Sequence, residues 1–208
     1  MLQINTDPIG QGKERSCFIH PDDPQKAIKI STGGIDAQSR REIKFYQKLK
    51  RRNVTGNPHV PGFYGLCETN LGQGIVVDLI RDRDGNVSKP LNWYLGEGYP
   101  IEAFEPYLEE LKQVFLRNLI IFNHDMTIGN LLFQKVSDNQ AHLVAIDGLG
   151  DVVALDWFDA LPFLVRRKIK RRWSRFLARV YRTQEVRSQR LQQQENPERV
   201  VKSLKPFY

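Results

Sequence analysis

Asn123-His124-Asp125-Met126-Thr127-Ile128-Gly129-Asn130, followed by the apolar run Leu143-Val144-Ala145-Ile146 and then Asp147-Gly148, is the stretch whose reading decides the fold. An acid with an amide five residues later, in a loop between an apolar helix and an apolar strand, turns two polar side chains into one cleft. A second acid follows after a short apolar strand. Phosphoryl transfer needs such a set. Asp125 receives the proton of an attacking hydroxyl, while Asn130 and Asp147 hold Mg²⁺ on nucleotide phosphates. Asp, Asn and Gly are also ordinary turn formers, so the reading rests on three polar residues keeping both order and spacing. His124 reads as a structural hydrogen-bonder of the loop, and His20, His59 and His142 as isolated, ordinary histidines.

Upstream, Gly10-Gln11-Gly12 stands in a strand–turn–strand context. Glycines there let backbone N–H groups approach phosphates with no Cβ in the way. Taken alone, such a turn is an ordinary hairpin. Lys29 interrupts the apolar strand Ala27-Ile28-Lys29-Ile30. It either snorkels from a half-buried edge strand or places a point charge on the α/β-phosphates, held by Glu42 at the head of the next helix. In company with the downstream acids, the second reading is favoured. Val76-Val77-Asp78-Leu79-Ile80 is a buried strand at the place for an adenine-binding hinge, with backbone groups of Asp78 and Ile80 on the base and Val77 behind the ring.

Outward from these motifs the chain divides into three. Residues 1–85 read as a sheet plus one helix, with two strands within 8–30 around a Pro21-Asp22-Asp23-Pro24 turn. A helix follows over 40–52, where Ile43, Tyr46 and Leu49 recur at spacing three, then a loop over 58–69 leading into a strand, and a strongly apolar strand over 74–80. Asp84-Gly85 lies in a polar turn linking to the second block, residues 86–165. That block has a helix over 104–121, the acid–amide loop, and strands at 131–133 and 143–146. Residues 166–208 are a basic segment, helical over 166–190 and loose at the end. This segment holds 14 Lys and Arg against 3 Glu, leaving 17 basic against 21 acidic residues before it, so the net charge of +7 belongs to the tail.

The 208 residues, 40% hydrophobic and 26% charged, suit one packed domain or one domain in two lobes. There is no apolar run of membrane-spanning length and no secretory signal after Met1. Cys17 and Cys67 alone exclude a disulfide scaffold and fit a reducing cytoplasm.

The chain resembles the bacterial YrbL family (PhoP regulatory network protein), a compact group within the protein-kinase-like fold. The resemblance spans roughly residues 8–180. It rests on Ile9-Gly10-Gln11-Gly12 with Cys17-Phe18, on His20-Pro21-Asp22-Asp23, Ala27-Ile28-Lys29-Ile30 and Arg41-Glu42-Ile43-Lys44-Phe45-Tyr46, and on Pro61-Gly62-Phe63-Tyr64-Gly65. It continues through Val77-Asp78-Leu79-Ile80, Gly129-Asn130-Leu131-Leu132 and Trp173-Ser174-Arg175-Phe176. Asn123-His124-Asp125 stands where kinases have His-Arg-Asp, and Asp147-Gly148-Leu149 where they have Asp-Phe-Gly.

The resemblance implies an α+β, compact two-lobed protein-kinase-like fold with a reduced C-terminal lobe, an ATP- and Mg²⁺-dependent phosphotransferase, and a protein or small-molecule phosphoacceptor. Two departures keep other readings open. Arg15 replaces the third glycine of the usual phosphate loop, and Ala160-Leu161-Pro162 is only a remote echo of Ala-Pro-Glu. A nucleotide-binding pseudokinase acting as a regulatory module is the first alternative. The second is a binder of nucleic acid or another anionic surface through the amphipathic basic helix.

Overall fold

A computed structural model describes residues 1–12, 15–31, 33–54, 56–124, 126–150 and 161–195, with side chains as far as 185. Asp125, Ala160 and residues 196–208 of the basic tail lie outside it. The described residues form a mixed α/β structure with two antiparallel sheets and four α-helices.

The first sheet has the order β1-β2-β3-β5-β4, from β1 (Gly10–Gln11), β2 (Arg15–His20), β3 (Asp23–Ser31), β4 (Phe63–Thr69) and β5 (Gly72–Asp78). Strand alternation divides its residues between two faces. Ile28 and Ile30 of β3 pack with Phe18, Val76 and Ile4, under an N-terminal segment held by Leu2 N–H donating to Glu68 O at 2.8 Å. Ala27, Ile75 and Val77 face the other way, into the main core with α1 (Ala37–Arg51). Lys29 lies in phase with Ala27 and so turns toward α1. The two central strands can approach closely because β5 has Gly74 opposite Ile30. A Cβ there would stand 2.4 Å from Ile28 Cγ2.

Helix α1 starts three residues before the sequence pattern suggests, because the Asp36 carboxylate caps it, accepting from Ser39 N–H at 2.6 Å. Its buried stripe is Glu42, Phe45, Tyr46 and Leu49, an i, i+3, i+4, i+7 series with an acid in it. Asn53, at φ 54°, turns the chain out of the helix.

The second sheet, β6-β7-β8, is built from β6 (Lys89–Pro90), β7 (Leu131–Lys135) and β8 (Ala141–Ala145). Helix α2 (Leu91–Gly96) is short, and no sequence pattern announces it. Helix α3 (Glu105–Arg117) ends four residues earlier than the apolar periodicity suggests. Leu119 takes φ 51°, and Ile120 N–H turns back to Phe115 O at 2.9 Å.

Helix α4 (Pro162–Glu195) lays Val165, Ile169, Trp173, Phe176 and Val180 against this core. Trp173 meets Phe115 and Phe122 edge-on, at 6.0 and 5.8 Å. One apolar cluster runs unbroken from α1 and β5 through α3 to α4. No helix among the described residues is long and apolar enough to cross a membrane.

Candidate functional site

Burying an acid on a helix stripe is costly unless it is paired. Glu42 has two partners. Its Oε1 accepts from Lys29 Nζ at 2.6 Å and its Oε2 from Arg15 Nη1 at 2.5 Å, with all three side chains 8–10% exposed. Lys29 Nζ also donates to Ile146 O at 2.6 Å. The lysine of β3 thus ties the first sheet to the residue just before Asp147.

Hairpin register places the downstream pair. Leu131 stands opposite Ala145 at the start of β7–β8, and one step outward Ile146 N–H donates to Asn130 O at 2.9 Å. The next residue, Asp147, is therefore brought beside Asn130. Gly148 follows at φ 75°, a conformation that favours glycine. A Cβ there would lie 3.5 Å from Asn130 Nδ2 and 3.4 Å from Asn123 Oδ1. The segment is zipped to the loop before Asp125, with Asn123 N–H donating to Gly148 O and Gly150 N–H to Ile121 O, both at 2.8 Å.

Asp125 itself lies outside the described residues, but its neighbours are firmly held. Met126 is fully buried. Arg179 of α4 donates to His124 O at 3.0 Å and to Met126 O at 3.2 Å, while buried Arg172 donates to Phe122 O. These two arginines read in the sequence as part of a basic surface; in the fold they hold this loop.

Lys29, Glu42, Asn130 and Asp147 are brought together at one place. The Asp147 carboxyl would be raised by burial, but Lys29 and Arg15 more than offset this and hold it below the usual range. Its Oδ1 accepts from Gly148 N–H at 2.6 Å. Arg15 and Gln38 also bind it, and nothing in their sequence positions suggested this. As a donor set, a carboxylate and a nearby side-chain amide suit Mg²⁺, which takes one or two carboxylates and completes its shell with water and phosphate oxygens. No group of three or more His, Cys, Asp or Glu able to hold a metal occurs among the described residues.

Gly10 lies in β1 and Gly12 follows it toward β2, where Gly12 N–H donates to Arg15 O at 2.8 Å. Among the described residues a Cβ would meet nothing nearer than 4.0 Å at Gly10 and 3.4 Å at Gly12, so their packing imposes no demand for glycine there. Cys17 faces Lys29 across the β2–β3 pair, and burial raises its thiol, which keeps it protonated.

In the candidate hinge, Val77 is buried. Asp78 N–H donates to Gly62 O, the Asp78 carboxylate accepts from Gly62 N–H at 2.6 Å and Tyr64 Oη at 2.7 Å, and Ile80 O accepts from Ser88 N–H. These contacts leave the Asp78 carbonyl and the Ile80 amide as the hinge groups to consider for a base. A groove of about 790 Å³ reaches Asp78 and Ile80 from the side of Tyr46, Lys50 and Phe63, and none of Lys29, Glu42, Asn130 or Asp147 lines it.

The family model described as PhoP regulatory network protein YrbL matches residues 2–181. Among curated relatives, the uncharacterized protein YrbL of Escherichia coli (strain K12) is 32% identical over 176 residues, covering 82% of this chain and 83% of its own. The uncharacterized protein YrbL of Shigella flexneri aligns with the same identity and coverage.

Proposed function

We propose that this chain, which belongs to the PhoP regulatory network protein YrbL family, is an ATP- and Mg²⁺-dependent phosphotransferase with a two-lobed, protein-kinase-like fold and a reduced C-terminal lobe. The observation that carries this reading is the Lys29–Glu42 pair at 2.6 Å, with Lys29 also bound to the carbonyl that precedes Asp147. A lysine on a central strand, an acid on the adjoining helix and a second acid past a hairpin have few reasons to share one spot. Gripping a nucleotide polyphosphate is one of them.

In this reading Glu42 orients Lys29, whose ammonium binds the α/β-phosphates. Gly10 and Gly12 let the β1–β2 turn lie over the phosphates, consistent with packing that does not itself call for glycine. The base enters between Val77 and the backbone of Asp78 and Ile80. Asp125 accepts the proton of the acceptor hydroxyl, from a loop that Arg172 and Arg179 hold by its carbonyls. Asp147 and Asn130 would hold Mg²⁺, which supplies neutralisation of charge on the transferring phosphoryl group. The acceptor is a protein side chain or a small-molecule alcohol, in a cytoplasmic setting.

The test is incubation with γ-labelled ATP and Mg²⁺, with and without cell extract. Label transfer should fall by about 10³-fold or more in Asp125→Asn, the scale of losing a positioned acid–base group together with its electrostatics. Undiminished transfer in that variant would remove Asp125 from the mechanism.

A pseudokinase reading draws support from Arg15 and Gln38 occupying the Asp147 carboxylate. It expects nucleotide binding with no labelled product. An anionic partner draws support from α4, where Arg167, Lys170, Arg171, Arg175 and Arg182 are exposed at spacings that keep them near one face, with no acid between Pro162 and Gln184. Binding through that stripe would weaken steeply with salt.

A further inference from the structure

Asp147 has a full set of partners already. Its Oδ2 accepts from Arg15 Nη2 at 2.6 Å and from Gln38 Nε2 at 3.0 Å, and its Oδ1 accepts from Gly148 N–H at 2.6 Å and from Gln38 Nε2 at 3.2 Å. The other arm of Arg15 is on Glu42 at 2.5 Å, and the side chain is only 8% exposed. A guanidinium thus bridges the two acids of the cleft, 27 and 132 residues away along the chain. It carries a permanent positive charge at the oxygen where a divalent cation would sit. The two basic partners of Glu42 use different oxygens, so Arg15 can leave without breaking the Lys29 pair.

We propose that Arg15 is a built-in counter-cation that keeps divalent metal off Asp147 until the polyphosphate of a nucleotide draws it away. This rests on the phosphotransferase reading above and adds an order to it: metal and nucleotide enter together, and metal alone is turned away. Three features point to this. Two like charges cannot share one carboxylate oxygen without a large Coulomb cost at partly buried depth. The planar guanidinium fork matches a phosphate as well as it matches a carboxylate. And Arg15 stands at the end of the Gly10–Gly12 turn, its own carbonyl bound by Gly12 N–H, so the side chain is rooted where phosphates would lie. A glycine at this position, as in the usual phosphate loop, would have no such side chain. Arginine here thus sets a fixed cation beside Asp147.

The experiment measures Mn²⁺ binding by electron paramagnetic resonance, without and with a non-hydrolysable ATP analogue, and separately the binding of a fluorescent ATP analogue. The proteins are wild type, Arg15→Gln, Arg15→Lys and the double variant Arg15→Gln/Asp147→Asn, each checked for a native circular dichroism spectrum. Arg15→Gln should bind Mn²⁺ alone at least about tenfold tighter than wild type. The double variant should lose that gain, and Arg15→Lys, which keeps the charge, should stay near wild type. Nucleotide should tighten Mn²⁺ binding in wild type by a factor that Arg15→Gln no longer shows. Equal Mn²⁺ affinity in wild type and Arg15→Gln would overturn the proposal, as would a gain that survives Asp147→Asn or one equally large in Arg15→Lys. If none of the proteins binds nucleotide, the phosphotransferase reading falls, while the Mn²⁺ comparison still decides whether Arg15 holds metal away from Asp147.

Discussion

Replacing Glu42 by alanine removes the one carboxylate that two buried cations share. In the folded protein Arg15 would keep Asp147, but Lys29 would be left with a single carbonyl, that of Ile146. All three side chains are at most 10% exposed, so water cannot easily make up the loss. Breaking a buried pair from one side costs about 3–5 kcal/mol, mostly because a charge is stranded. In a chain of this size each kcal/mol moves the melting temperature by about 2–4 °C, so the variant should melt roughly 6–20 °C below wild type. Urea denaturation of a four-member cycle with Lys29→Met gives the sharper measurement. Once Glu42 is gone, removing Lys29 should restore on the order of 1 kcal/mol or more, because the stranded charge goes with it. Additive losses in the double variant, or a Glu42→Ala protein that melts with wild type, would refute the view that these residues form one coupled network.

Trp173→Ala should destabilise by about 3–5 kcal/mol in urea denaturation, because Trp173 is 2% exposed and wedged among Phe115, Phe122 and Phe176. Loss of less than about 1 kcal/mol would mean α4 is not integral to the core. Gly74→Ala places a methyl 2.4 Å from Ile28 Cγ2 and should cost about 1–3 kcal/mol as the central strands part; an unchanged denaturation midpoint would contradict the close approach. Burial, then the neighbouring His59, holds His142 below the usual histidine range. The folded state thus favours the neutral ring, so this contribution is complete above about pH 6.5 and is lost as pH falls toward the folded value. Stability measured at pH 7.5 and 5.5 should drop less in His142→Gln than in wild type, and an equal drop would assign the acid sensitivity elsewhere.

Local signals made much of the first half legible. The apolar strand around Lys29 and the spaced Ile43, Tyr46 and Leu49 each carry their period in a few adjacent residues. The Lys29–Glu42 pairing was legible: a lysine inside an apolar strand and an acid at the head of the next helix are found 2.6 Å apart. The Arg15 bridge was not legible, since its partner Asp147 lies 132 residues on and an arginine near a turn is usually solvated. Nor could the sequence separate buried Arg172 and loop-bound Arg179 from the other cations around them. Both occur in one basic run, and only the placing of the Phe122, His124 and Met126 carbonyls beside α4 decides which arginines reach them. The end of α3 was misplaced for a similar reason: Ile120 and Ile121 continue the apolar pattern after Leu119 has reversed the backbone.

The arginines of α4 that hold the carbonyls of Phe122, His124 and Met126 also set a schedule for biosynthesis. The loop is made well before the helix that clamps it, and chains fold from the N-terminus as they emerge. Until α4 has been translated and has docked, those carbonyls have only water. The nascent chain can therefore carry a finished first sheet while its second half remains unassembled. Hydrogen-exchange labelling of a chain ending at residue 160 and of the full chain would show the change as protection of the loop amides arriving together with the helix.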